Sequence, residues 1–185
     1  MGKHAIAVNS NKSFGREFLS YLIVIIFAVV ISVVFRIFFF EPFVVPTPSM
    51  EPTLMVNDKV IVNKFSYKYF GIKRGDIITF HSPVTQGKDL VKRAIAFEGE
   101  TIKLGTDGII YINGKPIDKD YYTNESPPKY TGQVFKVGKN EIFVMGDNRN
   151  DSYDSRYFGP IEKTEVFGKV VMIYWPPSRI KLIKN

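Results

Sequence analysis

Pro46-Thr47-Pro48-Ser49-Met50-Glu51-Pro52-Thr53-Leu54 divides this chain into two unlike parts. Its prolines fix much of the backbone and remove three amide donors, so neither a helix nor a central strand is expected here. The expectation is a stiff, extended loop that presents one serine. Before it stands a long apolar run; after it come only short β-branched and aromatic runs broken by Gly, Asn and Asp. A loop serine by itself is usually a solvent-facing hydroxyl, so the role of Ser49 depends on what surrounds it.

The apolar run comes first. From residue 18 to residue 35 no side chain is charged. At about 1.5 Å rise per residue, a helix over this run nearly crosses a hydrocarbon core of ~30 Å, with Arg36 able to snorkel at the far end. A cleavable signal peptide is the alternative. The run is long and aromatic, however, and Ile37-Phe38-Phe39-Phe40-Glu41-Pro42 follows it where a small-x-small cleavage pattern would stand, so it reads as a permanent anchor. Lys3, Lys12 and Arg16 precede it against Glu17 alone, which by the positive-inside rule puts the N-terminus in the cytoplasm. The expected organisation is a cytoplasmic tail (1–17), a single transmembrane anchor in the cell membrane (18–40) and an extracytoplasmic domain (41–185).

The remainder reads as mainly β. Strands are expected at 59–65, 76–80, 89–97, 101–104, 109–112, 115–117, 141–145 and 166–174. Asn113-Gly114 is a strong signal for a two-residue hairpin turn. Residues 120–132 are polar and contain proline, which suits a loop, and about 100–135 should form a small projecting hairpin region. Residues 65–70 crowd four aromatics around Lys68, a cluster suited to a core or to a membrane interface. No ten-residue stretch of this part carries a helical period. The fold class is therefore one N-terminal transmembrane helix followed by an all-β domain.

Composition excludes several chemistries. The 185 residues contain no cysteine, which rules out disulfides, thiolate zinc sites and cysteine nucleophiles together. Only His4 and His81 are present, so a histidine-rich metal site is not expected. The net charge of +7 is spread without a basic run longer than two residues, which argues against a nucleic-acid partner.

Two further stretches carry chemistry. In Leu90-Val91-Lys92-Arg93-Ala94-Ile95-Ala96, strand alternation turns Lys92 to the same face as Leu90, Ala94 and Ala96, and Arg93 to the other. An ammonium among apolar neighbours is disfavoured, and a base near neutral pH needs a pKa well below the ~10.4 of free lysine. Taken alone, Lys92 reads first as an edge-strand lysine that snorkels outward. The second stretch, Gly146-Asp147-Asn148-Arg149-Asn150-Asp151-Ser152-Tyr153-Asp154-Ser155-Arg156, holds no aliphatic side chain and follows an apolar strand. It is either a plain surface loop or a salt-bridged rigid support beside a reactive group.

Taken together, Ser49-Met-Glu-Pro-Thr-Leu, Lys92-Arg93-Ala94, the Gly-Asp-Asn-Arg…Ser-x-Asp-Ser-Arg loop and Tyr174-Trp175-Pro176-Pro177 resemble, in this order after one anchor, the type I signal peptidases of the bacterial Ser–Lys kind. The resemblance covers nearly all of 18–185 and implies an all-β catalytic domain. It implies Ser49 as nucleophile, Lys92 as general base, and Ser152 as a hydrogen-bonding partner that orients the Lys92 amine. It also implies structural pairs Arg93–Asp147 and Asp154–Arg156, and Thr47 as an oxyanion-hole hydroxyl beside the Ser49 N–H. Pro48 stands where that family usually has glycine. The implied substrates are preprotein signal peptides whose small-x-small (Ala-x-Ala) segment binds as an added strand. Shallow pockets for it are expected from Phe43, Val45, Met50, Leu54 and Val91. The lipid bilayer is the other implied partner, and no metal or cofactor is implied.

Rival readings remain at this point. A Ser-His-Asp triad would need His81, which sits in Phe80-His81-Ser82-Pro83 with no motif around it. The self-cleaving repressors of the DNA-damage response also use a Ser–Lys pair, but with a DNA-binding helical domain and no anchor. A catalytically silent, membrane-tethered β-module that binds extended peptides is the alternative from another class; the presence of both Ser49 and Lys92 argues against it.

Overall fold

In a computed structural model the protein is described over residues 11–106, 109–117 and 132–183, and it divides into two compact units at Phe38/Phe39. The first unit is dominated by helix α1 (Asn11–Phe39), which is apolar on every face, as a helix surrounded by lipid would be. By length and composition its stretch Gly15–Val34 is able to cross a membrane. The Arg36 side chain, expected to snorkel, lies outside the described ones.

The second unit holds two antiparallel sheets. The larger contains β1 (Phe40–Val44), β2 (Lys59–Asn63), β3 (Ile77–His81), β4 (Asp89–Phe97), β9 (Glu141–Met145), β10 (Ile161–Glu162), β11 (Val166–Trp175) and β12 (Lys181–Leu182). They run in the order β1-β2-β11-β3-β4-β9-β10, with β12 added to β11. The smaller has the order β7-β6-β5-β8, from β5 (Thr101–Leu104), β6 (Ile110–Ile112), β7 (Lys115–Pro116) and β8 (Val134–Lys136). Bulges in β4 (Ala94/Ala96) and β11 (Val170/Met172 and Ile173/Trp175) bend the larger sheet so that it curls.

The strands form where β-branched and aromatic residues recur, and the expected mainly-β class is the one observed. Residues 118–131, which include most of the expected loop, lie outside the described ones. Phe40, assigned to the anchor from sequence, opens β1 and pairs with Asn63. Pro42 is tolerated in β1 because this is an edge strand, where a missing N–H need break no ladder bond. The Asn113-Gly114 turn forms as expected, with φ of 51° and 80°. The serine loop is not simply extended: Pro48–Met50 is a 3₁₀ turn with Pro48 at its first position, where a helix needs no N–H. The aromatic cluster supplies a short helix, α2 (Ser66–Phe70), and the polar loop ends in another, α3 (Ser155–Phe158).

Three buried clusters hold this unit. Val45, Met50, Leu54, Val60, Val62, Ile77, Val91, Val170 and Ile173 pack behind the serine turn. Ile78, Phe80, Ala94, Ile142, Val144, Ile161 and Val166 form a second. In the third, Ile102, Leu104 and Ile110 of the small sheet meet Ile95, Ala96, Phe143 and Met145 of the large one. The hairpin region is thus packed on the main sheet through a shared core. Phe143, fully buried and 5.0 Å from the Phe135 ring, sits at that junction. Phe143→Ala should lower unfolding free energy by about 3–5 kcal/mol in denaturant titration; a loss below ~1 kcal/mol would show that the two sheets do not depend on one core.

Candidate active site

Two backbone elements bring the expected residues together. The 3₁₀ turn after β1 holds Ser49, and the middle of β4, flanked by β3 and β9, holds Lys92 directly across from Ile78. Lys92 Nζ donates to Ser49 Oγ at 2.6 Å, with the two residues only 3% and 6% exposed. Burial brings the Lys92 ammonium down from the ordinary lysine value to about 8. The Asp154 and Asp147 carboxylates pull it back up and the Arg156 guanidinium pushes it down. The Thr47 hydroxyl, on extended backbone just before the turn, lies 3.1 Å from Ser49 Oγ, and either atom can donate.

The polar loop after β9 is the scaffold beside this pair. Arg93 grips Asp147 with Nε to Oδ1 at 2.7 Å and Nη2 to Oδ2 at 2.5 Å, and its Nη1 donates to the Gly75 carbonyl at 2.7 Å. Asp154 is fully buried and receives the Gly146 N–H (2.9 Å), the Ser152 hydroxyl (2.7 Å), and Arg156 Nε and Nη2 (2.8 and 2.9 Å). Arg156 also reaches the Arg149 carbonyl at 2.8 Å, and Arg149 Nε donates to the Gly146 carbonyl at 2.8 Å. The buried Asp147, Arg149, Asp154 and Arg156 of this loop are therefore bonded inward, while Asp151 alone of its charged residues is exposed. Gly146 is required by space: a Cβ there would stand 2.3 Å from Ser152 Oγ and 2.4 Å from the Ser49 carbonyl oxygen.

Not every expected contact is present. Ser152 gives its hydrogen to Asp154 at 2.7 Å, and among the described residues its hydroxyl makes no hydrogen bond to Lys92. Of the five residues expected to line substrate pockets, Val45, Met50, Leu54 and Val91 belong to the buried core, Met50 and Leu54 with no exposed surface at all. The turn folds these apolar side chains under β2 and β11, where burial stabilises them. Phe43 is partly buried against the same cluster. His81 pairs with Asp89 at 2.8 Å and stacks on Phe167 at 4.9 Å, and it does not reach Ser49. Sequence reading assigned no role to Gly146, Asn148 or Thr53. Asn148 bonds the serine turn, and Thr53 receives Arg93 Nη2 at 3.5 Å. Their one signal was a place inside the quoted motifs.

A family model described as "Signal peptidase, peptidase S26" matches residues 18–175. The chain belongs to this family. It is accordingly a serine peptidase, a hydrolase that removes signal peptides. Among its relatives, the signal peptidase I of Leptolyngbya laminosa is 38% identical over 83% of this chain and 77% of that protein. The signal peptidase I of Bacillus caldolyticus is 38% identical over 80% of this chain and 87% of that protein. A solved structure of a signal peptidase I from Enterococcus faecalis V583 is 35% identical and aligns over 52% of this chain and 94% of that one, with a TM-score of 0.43.

Within this peptidase the contact at Gly146 makes a direct test. Gly146→Ala should displace the serine turn against the polar loop and lower kcat/KM for a preprotein by about 10²-fold or more, in proportion to a misplacement near 1 Å. Near-normal turnover by the alanine variant would mean that loop and turn are not in register with the chemistry.

Proposed function

We propose that Ser49 and Lys92 are a catalytic dyad that cleaves preproteins after a small-x-small (Ala-x-Ala) segment. The observation that carries this reading is the 2.6 Å contact between a serine hydroxyl and a lysine amine, both buried. In its neutral form Lys92 takes the Ser49 proton while Oγ attacks the scissile carbonyl carbon. The carbonyl electrons move onto oxygen, which the Ser49 N–H and the Thr47 hydroxyl stabilise. The Lys92 ammonium then gives its proton to the departing amine, and the peptide bond breaks to leave an acyl-enzyme. Lys92 next deprotonates a water, which attacks the ester carbon; the bond from that carbon to Ser49 Oγ breaks, Lys92 returns the proton to Oγ, and the cut signal peptide leaves as an acid. Arg93–Asp147 and Asp154–Arg156 hold the frame, and Ser152 acts on the amine indirectly, by anchoring Asp154.

Edge strand β1 supports strand-addition binding of the substrate: among the described residues it pairs in the sheet with β2 alone, and it leads through residues 45–47 into the serine turn. Of the expected lining residues Phe43 keeps the contact surface; the buried Val45, Met50, Leu54 and Val91 form the floor beneath it. Helix α1 is proposed as a single membrane anchor with the N-terminus cytoplasmic and the catalytic unit outside. Tyr69, Phe70 and the half-exposed Trp175 suit a lipid interface.

Activity should rise with pH through about 8, because the protonated amine cannot accept from Ser49. Lys92→Arg should be as inactive as Lys92→Ala, since arginine stays charged throughout the accessible range. Cleavage by the arginine variant near the wild-type rate would remove Lys92 as base. Thr47→Val keeps the shape and deletes the hydroxyl; it should lower kcat by about 10²–10³-fold with little change in KM, and Thr47→Ser should retain most activity. A folded valine variant with wild-type turnover would place the second oxyanion donor elsewhere.

A further inference from the structure

The same loop that pairs its charges inward also holds the nucleophile turn at two successive carbonyls. Asn148 Nδ2 donates to the Pro48 carbonyl at 3.3 Å, and the Asn148 backbone N–H donates to the Ser49 carbonyl at 3.1 Å. The amide orientation follows from chemistry: a carbonyl oxygen only accepts, so the side-chain nitrogen must face it. Pro48 O receives a second donor, the Glu51 N–H at 3.0 Å, which closes the 3₁₀ turn.

The Pro48 carbonyl and the Ser49 N–H belong to one peptide group. That group is planar and trans, so its oxygen and its hydrogen point to opposite sides. Two donors fixed on the oxygen therefore aim the Ser49 N–H away from Asn148. They also draw electron density toward the oxygen and make the N–H a stronger donor, by the mutual polarisation of linked hydrogen bonds. Ser49 stands in the first turn of its short helix, so its N–H has no partner within the turn, and among the described residues it meets no other acceptor. Pro48 contributes no N–H of its own, which leaves this single backbone donor exposed to whatever oxygen approaches.

We infer that Asn148 is a positioning residue for the oxyanion hole: its side chain orients and polarises the Pro48–Ser49 peptide group so that the Ser49 N–H is a pre-aimed donor. The inference rests on the Ser49–Lys92 reading above. It assigns the Asn148 side chain no contact with substrate. Its effect should appear when negative charge develops on the substrate oxygen and not when the peptide merely binds.

A peptide aldehyde ending in an Ala-x-Ala sequence reads this difference directly. Ser49 Oγ adds to the aldehyde carbon, the carbonyl electrons move onto oxygen, and the Ser49 proton passes to Lys92, which reproduces the oxyanion of the first step. The matching peptide alcohol is neutral and binds without forming that oxygen anion. In the full chain in detergent, Asn148→Ala should weaken aldehyde binding and lower kcat each by about 10-fold, less than the loss on deleting a donor outright. KM and binding of the peptide alcohol should stay within about 2-fold. Where the alanine variant shows no cooperative unfolding transition, the isosteric Asn148→Asp, which keeps the shape and loses the amide donor, carries the same prediction. Equal aldehyde affinity in wild type and variant, or equal weakening of aldehyde and alcohol, would overturn the inference and leave Asn148 a structural clamp. Failure of the wild type to form a Ser49 adduct would instead overturn the underlying Ser49–Lys92 reading.

Discussion

A lysine amine sealed against a serine hydroxyl is the constraint from which the rest of this structure follows. Water around an ammonium ion stabilises the charged form; removing that water brings the amine toward the pH range in which it can accept a proton. Strand β4 achieves this by lying inside the large sheet, between β3 and β9: Lys92 pairs with Ile78 of β3, and the pairing with β9 begins at the next residue, Arg93 with Met145. The Pro48–Met50 turn closes the remaining side and brings Ser49 Oγ to 2.6 Å. On the proposed reading the histidine of a triad is replaced by burial, and His81 remains at the sheet end with Asp89.

Burial of this kind requires a rigid wall. The polar loop provides it by pairing Asp147 with Arg93 and Asp154 with Arg156, all of them buried. Ion pairs this deep add little net stability over apolar packing, but removing one partner leaves an uncompensated buried charge, at a loss of about 3–5 kcal/mol. Their contribution lies in fixing position. Asp154 ties the start of the loop at Gly146 to its end at Arg156 and occupies the Ser152 hydroxyl. The close approach of Gly146 to the Ser49 carbonyl then sets how far loop and turn can separate.

Much of this was legible in the residues. The uncharged run gave the helix; β-branched alternation gave β4 and β9 with their observed ends; Asn113-Gly114 gave the hairpin turn. Strands β8, β10 and β12 were missed because two or three residues carry no period, and β1 because Phe40 reads as the end of the anchor and Pro42 breaks the strand pattern. The partner of Ser152 was not legible, since which acceptor a hydroxyl takes depends on where Asp154 comes to rest. Met50 and Leu54 were read as pocket walls because they flank the serine in sequence. In space the turn reverses the chain and tucks both under the sheet. Asn148 went unassigned for the opposite reason: it is distant from Ser49 in sequence and becomes adjacent only through the fold.

The account's central claim is that Lys92 is an amine held near its neutral form by burial. Carbon-13 NMR of the lysine Cε resonances, with Lys92 assigned by comparison with Lys92→Met, measures that titration without reference to turnover. The account predicts a Lys92 midpoint at about 8. A midpoint at the ordinary lysine value of ~10.4 would contradict it.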